Sequence, residues 1–198
     1  MAVQVEERQK EETTLKQKNG VSAQLQVGLS APEWRMQGVT PEGTIQEFSL
    51  KGLRGKWVVL FSYPLDFTPV CETEVDGFKN LHQEFKKLNA EVFAMSVDSV
   101  FTHKAWIEAK HAGKIPYPIL SDLTKEVSRT YGILINEKGF SLRGTFIIDP
   151  EGILQWQVVH STGVGRSTQE VVRVLQALQS GGLCGVDWKP GQKHLTPP

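Results

Sequence analysis

The sequence is short of cysteine, has no excess charge of either sign and contains no long apolar run, and each shortage removes a class of function. Two cysteines, Cys71 and Cys184, in 198 residues are too few for a disulfide scaffold and form no C-x-x-C motif. Lys and Arg (22) balance Asp and Glu (22), so the basic footprint of a dedicated nucleic-acid or membrane-surface binder is missing. No stretch approaches the roughly 18 apolar residues of a membrane span, and the opening MAVQVEERQK lacks the apolar centre of a signal peptide. The expectation is a cytoplasmic protein, in a compartment where any disulfide is transient. Five scattered histidines, at 82, 103, 111, 160 and 194, form no metal-ligand spacing, so no metal is expected. Gly163-Val164-Gly165-Arg166-Ser167-Thr168 looks superficially like a phosphate loop but lacks the lysine and the further glycine that such loops need; a helix cap with Arg166 near an interface is the plainer reading.

What is present fits one globular domain, with 39% apolar and 22% charged residues. Residues 1–24 are polar, without periodicity, and read as an arm; residues 25–180 read as the folded domain. Residues 181–198 form a Gly/Pro-marked tail that carries Cys184 and is expected to be mobile. Trp57 to Tyr63 is a nearly continuous run of β-formers, as in a strand buried on both faces. From Glu72, the positions Val75, Phe78, Leu81, Phe85 and Leu88 recur at steps of three and four, the stripe of one amphipathic helix. Val92–Val97 reads as a strand, Phe101–His111 as a helix, and Leu123–Tyr131 as a helix capped by Ser121 or Asp122. Two strands, Gly144–Asp149 and Ile153–His160, flank the turn Asp149-Pro150-Glu151-Gly152. A last helix follows Ser167, which with Glu170 forms a capping-box pair, and it ends at Ser180. This order predicts an α/β three-layer domain with a mixed central sheet.

Chemistry concentrates where the buried strand gives way to the first helix, in Ser62-Tyr63-Pro64-Leu65-Asp66-Phe67-Thr68-Pro69-Val70-Cys71-Glu72-Thr73-Glu74. Such junctions are where α/β sheets place their sites. Cys71 falls in the first helical turn, where unpaired backbone N–H groups and the positive end of the helix dipole favour a thiolate. It also lies four residues before Val75, so it faces inward. On position alone, two readings stand: a small buried hydrophobe, or a nucleophile on a loop stiffened by Pro64 and Pro69 and equipped with the Thr68 hydroxyl. Glu72 and Glu74 work against a thiolate, so the nucleophile needs a nearby cation.

Pro64-x-x-x-Thr68-x-x-Cys71 at a strand-to-helix junction resembles the active-site signature of the peroxiredoxins, thiol peroxidases on a thioredoxin-like fold. Ser96-Val97-Asp98-Ser99 with Thr102-His103-x-Ala105-Trp106, Leu142-Arg143-Gly144-Thr145-Phe146, Val164-Gly165-Arg166-Ser167 and Cys184-x-x-x-Trp188-Lys189-Pro190-Gly191 are similar, in order, to the typical two-cysteine branch. The likeness spans about residues 25 to 192. It departs at Glu72, where proline commonly follows the cysteine, and at Pro69 and Gly185.

The resemblance implies that Cys71 is the peroxidatic cysteine and Arg143 its activating cation. By the same token Thr68 bonds the peroxide, Pro64 shields the pocket and Glu74 orients Arg143. Cys184 matches the resolving cysteine, which in this branch comes from the partner chain and forms an intersubunit disulfide. Hydrogen peroxide and small alkyl hydroperoxides are the implied substrates, with no cofactor. Thioredoxin or a flavoprotein disulfide reductase is the implied reductant, and a homodimer, extending to a ring of dimers such as a decamer, the implied assembly. A peroxide sensor or redox-regulated holdase chaperone is the alternative. Ala112-Gly113-Lys114-Ile115-Pro116 replaces the Gly-Gly-Leu-Gly loop of overoxidation-sensitive members, and the ending Lys193-His194-Leu195-Thr196-Pro197-Pro198 replaces their Tyr-Phe helix, which implies a peroxide-robust enzyme.

Overall fold

The computed structural model describes residues 25–197; the expected arm, 1–24, lies outside the described residues. The β-former run at Trp57 becomes the strand on which the domain is built. Alternate side chains of a strand point to opposite faces, and here Val59 and Phe61 enter one apolar cluster while Val58 and Leu60 enter the other. In chain order the elements are β1 (Arg35–Val39), β2 (Ile45–Ser49), β3 (Trp57–Ser62), α1 (Pro69–Asn80), α2 (His82–Lys87), β4 (Ala90–Ser96), α3 (Val100–Lys110), β5 (Ile119–Ser121), α4 (Glu126–Thr130), β6 (Leu134–Ile135), β7 (Phe140–Ser141), β8 (Arg143–Ile148), β9 (Leu154–His160) and α5 (Thr168–Ser180).

Seven strands form one sheet in the order β2-β1-β5-β4-β3-β8-β9. β3, β4 and β5 run parallel, while β8 and β9 on one side and β1 and β2 on the other run antiparallel. The sheet is therefore mixed. Residues of α1, α2, α3 and α5 build the cluster on one face, among them Val75, Phe78, Phe85, Trp106 and Leu175. Leu50, Val127, Tyr131 and Ile133 pack with Met95, Phe146 and Ile148 on the other. The result is the expected three-layer thioredoxin-like α/β fold of a single domain. Phe61 stacks on Phe78 at 3.9 Å between ring centroids; burying a ring of this size is worth about 1.5–3 kcal/mol, which fixes α1 over the sheet.

Three local expectations change. The single helix expected from Glu72 to Leu88 is two, divided at Leu81, whose carbonyl accepts from the N–H groups of Glu84 and Phe85; the bend keeps both Phe78 and Phe85 on one core. The helix expected from Leu123 begins only at Glu126, because Lys125 adopts a left-handed backbone (φ 61°). The Asp122 carboxylate still receives helical N–H groups, but those of Val127 (3.1 Å) and Ser128 (2.7 Å). The tail, expected to be mobile, is held on α5. Trp188 is buried, its carbonyl accepts from Arg173 (3.1 Å), and the Leu195 N–H donates to the Leu183 carbonyl (2.8 Å). The Asp149–Gly152 turn forms as expected, with the Asp149 carboxylate accepting from the N–H groups of Glu151 and Ile153. Ser167 caps α5 through the Glu170 N–H (3.2 Å), whereas the Glu170 side chain turns to Arg173 instead of completing the box. No helix among the described residues is long and apolar enough to cross a membrane.

Candidate active site

Cys71 is the third residue of α1 and is fully buried. The helix opens with Pro69, which has no N–H to leave unsatisfied. Its first main-chain bond runs from the Glu72 N–H to the Thr68 carbonyl at 3.1 Å. The N–H groups of Val70 and Cys71 thus have no main-chain acceptor among the described residues, and they place partial positive charge beside the sulfur.

The cation that the sequence argument required is present. Arg143, at the start of β8, brings Nη1 to 3.3 Å from the Cys71 Sγ. Nε and Nη2 of the same guanidinium donate to the Thr162 carbonyl at 2.9 and 2.8 Å, and Nη1 also donates to Glu74 Oε2 at 2.5 Å. The fork is therefore fixed at three corners. Glu74 turns to the arginines, while Glu72 points away toward Lys110 at 3.9 Å.

A second arginine joins this cluster. Arg166 donates from Nε to Glu74 Oε1 and from Nη2 to Oε2, both at 2.7 Å, and its backbone N–H reaches Oε1 at 3.0 Å. Its Nη1 binds the Gly144 carbonyl at 2.6 Å, and its guanidinium lies over the Phe61 ring. All three charged side chains are 3% exposed or less. Burial alone pushes the Glu74 carboxyl up, but the hydrogen bonds and charge of Arg166, and then of Arg143, outweigh it and hold the group below the usual glutamate value. Burial lowers the proton affinity of Arg166, with Glu74 pulling the other way. One carboxylate between two guanidiniums leaves a net positive charge facing the Cys71 sulfur.

The loop ahead of the helix is braced from below. Tyr63 donates its hydroxyl to Asp66 Oδ1 (2.8 Å), His103 Nδ1 meets Asp66 Oδ2 (2.8 Å), and the Asp66 N–H donates to Asp98 (3.0 Å). His103 is fully buried and paired with a carboxylate. Pro64 is buried at the start of this loop, and the Thr68 hydroxyl donates to the Leu65 carbonyl at 2.8 Å. Phe67, half exposed, adopts a left-handed backbone at φ 57°. Such a conformation is uncommon for a bulky residue.

The structure thus joins Cys71, Glu74 and Arg143, and adds Arg166, whose signal was its place in Val164-Gly165-Arg166-Ser167. It does not bring Cys184 into this cluster. Both cysteines are free thiols, and the sulfur of Cys184, half-buried beyond the end of α5, contacts Ser180, Ala177 and Gly182. Among the described residues no group of three or more His, Cys, Asp or Glu side chains is placed to hold a metal ion.

Comparison with known proteins follows the same lines. Residues 27–157 match the family model described as the AhpC/TSA family. A protein of the rubredoxin operon of Clostridium pasteurianum is 51% identical over 174 residues, which covers 85% of this chain and 98% of that one. Peroxiredoxin-2 of Mus musculus is 44% identical over 184 residues, covering 89% and 92% respectively. Among solved structures, the reduced 2-Cys peroxiredoxin of Plasmodium vivax superposes with a TM-score of 0.83 at 34% identity, covering 87% of this chain and 93% of its own.

Proposed function

The chain belongs to the AhpC/TSA family and is a thiol-dependent peroxidase; from that premise we propose that Cys71 reduces hydrogen peroxide and small alkyl hydroperoxides and that Cys184 of a partner chain resolves the product. The Cys71 thiolate attacks the distal peroxide oxygen, the O–O bond breaks, and water or an alcohol leaves as Cys71 becomes a sulfenic acid. Arg143 stabilises both the thiolate and the negative charge that develops on the peroxide oxygens. Thr68 positions the peroxide through its hydroxyl, Pro64 keeps bulk water from the sulfur, and Glu74 with Arg166 aims Arg143. Cys184 then condenses with the sulfenic acid, expelling water and forming an intersubunit disulfide, so the working unit is at least a homodimer and extends to a ring of dimers. An external dithiol, thioredoxin or a flavoprotein disulfide reductase, returns both thiols in a reducing compartment such as the cytoplasm.

The observation that carries this reading is the 3.3 Å contact between Arg143 Nη1 and the Cys71 Sγ, with Glu74 shared between two buried arginines. It is tested on a non-reducing gel after one equivalent of peroxide, comparing wild type with Cys71→Ser and Cys184→Ser. A covalent dimer in wild type and in neither variant is the expected result; a dimer that persists in either variant overturns the assignment.

A further inference from the structure

Cys184 lies next to a second polar chain that the peroxide chemistry at Cys71 does not use. Its Sγ is 3.4 Å from the Ser180 Oγ, and the same Oγ is 3.0 Å from His194 Nε2. His194 is held there from three sides. The main-chain bond between Leu195 and Leu183 lays residues 193–195 alongside the segment that carries Cys184. The imidazole stacks on the buried Trp188 ring at 5.5 Å, with 15° between planes. It also presses against Gly182 so closely that an added Cβ there would fall 2.3 Å from His194 Cγ and Nδ1, a distance no side chain tolerates.

We propose that Ser180 and His194 form a proton relay that prepares the Cys184 thiol for resolution, with Ser180 touching the reacting sulfur and His194 acting through it as a positioning residue. The inference rests on the reading of Cys184 as the resolving cysteine. The Ser180 hydroxyl has one hydrogen, which in the resting arrangement donates to the Ala177 carbonyl at 2.7 Å. Rotated to His194 Nε2, it lets Ser180 accept the Cys184 proton as its own passes to the imidazole. The Cys184 S–H bond and the Cys71 S–O bond break and the S–S bond forms. Cys184 sulfur is oxidised and Cys71 sulfur reduced, and the hydroxide lost from the sulfenic acid combines with the proton released from His194 to give water. On α5 the charged group facing Cys184 is Arg173, which is bound to Glu170 and to the Trp188 carbonyl and also faces Asp187; Lys193 precedes His194 in the chain.

The test is rapid-quench measurement of disulfide formation after one equivalent of peroxide, from pH 5.5 to 9.5, in the full-length protein. His194→Gln and Ser180→Ala should each slow resolution about tenfold near neutral pH and move the rise of the rate toward alkaline pH. Consumption of peroxide in the first step should be unchanged, and Ser180→Thr, which keeps the hydroxyl, should restore the wild-type profile. Superimposable pH profiles for wild type, His194→Gln and Ser180→Ala, with the Cys71–Cys184 disulfide still formed, overturn the relay alone. A disulfide that forms in Cys184→Ser overturns the resolving assignment and the relay with it.

Discussion

Arg166 closes on both carboxylate oxygens of Glu74, 92 residues away in the chain, with two 2.7 Å contacts. Breaking one side of a buried ion pair leaves the other charge unpaired in a low-dielectric site and costs about 3–5 kcal/mol. Arg166→Met should therefore destabilise the fold by about that amount, measured by urea unfolding. It should also slow peroxide consumption, because Glu74 is then free to neutralise Arg143. A variant of wild-type stability would remove Arg166 from the cluster.

Acid should undo the same cluster. Folded Glu74 binds its proton less tightly than the unfolded chain does, held down by Arg166 and Arg143 against the opposing effect of burial. A depressed carboxyl contributes its full stability above the unfolded value near ~4.3 and loses it as pH falls through the lower folded value. The stability gap between wild type and Glu74→Gln should be constant from neutral pH down to about 5 and shrink below about 4. Paired unfolding curves across that range measure it, and a gap that widens in acid contradicts the assignment.

Replacing Arg143 separates charge from geometry. Its guanidinium serves the Cys71 sulfur, Glu74 and the Thr162 carbonyl at once, which a lysine ammonium on a flexible stem cannot reproduce. Arg143→Ala should lower the second-order rate constant with hydrogen peroxide by about 10² to 10³, and Arg143→Lys should recover only part of it. Stopped-flow mixing under single-turnover conditions reads both; equal rates in wild type and Arg143→Ala would take Arg143 out of the mechanism.

The brace under the loop has its own signature. Asp66 accepts from Tyr63 and pairs with His103, both fully buried. Asp66→Asn removes the negative charge between them and should cost about 3 kcal/mol. The first turn of α1 should then exchange its amide hydrogens faster than α5 does. Uniform exchange in the two helices would show that the brace does not govern the loop.

Peroxide tolerance is the outcome expected from the loop that follows α3. With Ala112-Gly113-Lys114-Ile115-Pro116 after α3, Cys71 should resolve before a second peroxide reaches it. Turnover should continue at peroxide levels that convert Gly-Gly-Leu-Gly members to the sulfinic acid, with little Cys71 mass gain of two oxygens by mass spectrometry.

Residues whose role depends on neighbours in the chain were legible before any coordinates. Cys71 at the helix start, Pro64 and Thr68 ahead of it, and the inward helical stripe all follow from local order. Arg143 and Glu74 came through the resemblance, since no spacing argument links positions 69 residues apart. Arg166 read as a helix-cap neighbour because its partner Glu74 lies 92 residues away in the chain and meets it only in the folded domain, and the pairing of His103 with Asp66, 37 residues apart, is likewise a product of the tertiary fold. Arg35–Val39 and Ile119–Ser121 were missed as strands because five and three residues are too few to establish a period. The shortened α4 turns on the left-handed backbone of one lysine, which composition does not announce. The tail was taken as loose because nothing local predicts that Trp188 finds a buried seat.

The backbone of Phe67 gives the resting site a bias. A non-glycine residue in the left-handed region holds roughly 1–2 kcal/mol of strain relative to its relaxed conformations, and this one stands directly before the residue that caps α1. The loop ahead of Cys71 therefore carries stored backbone strain beside the ion cluster. In the proposed reaction, any opening of this loop that lets Phe67 leave the left-handed region releases that strain.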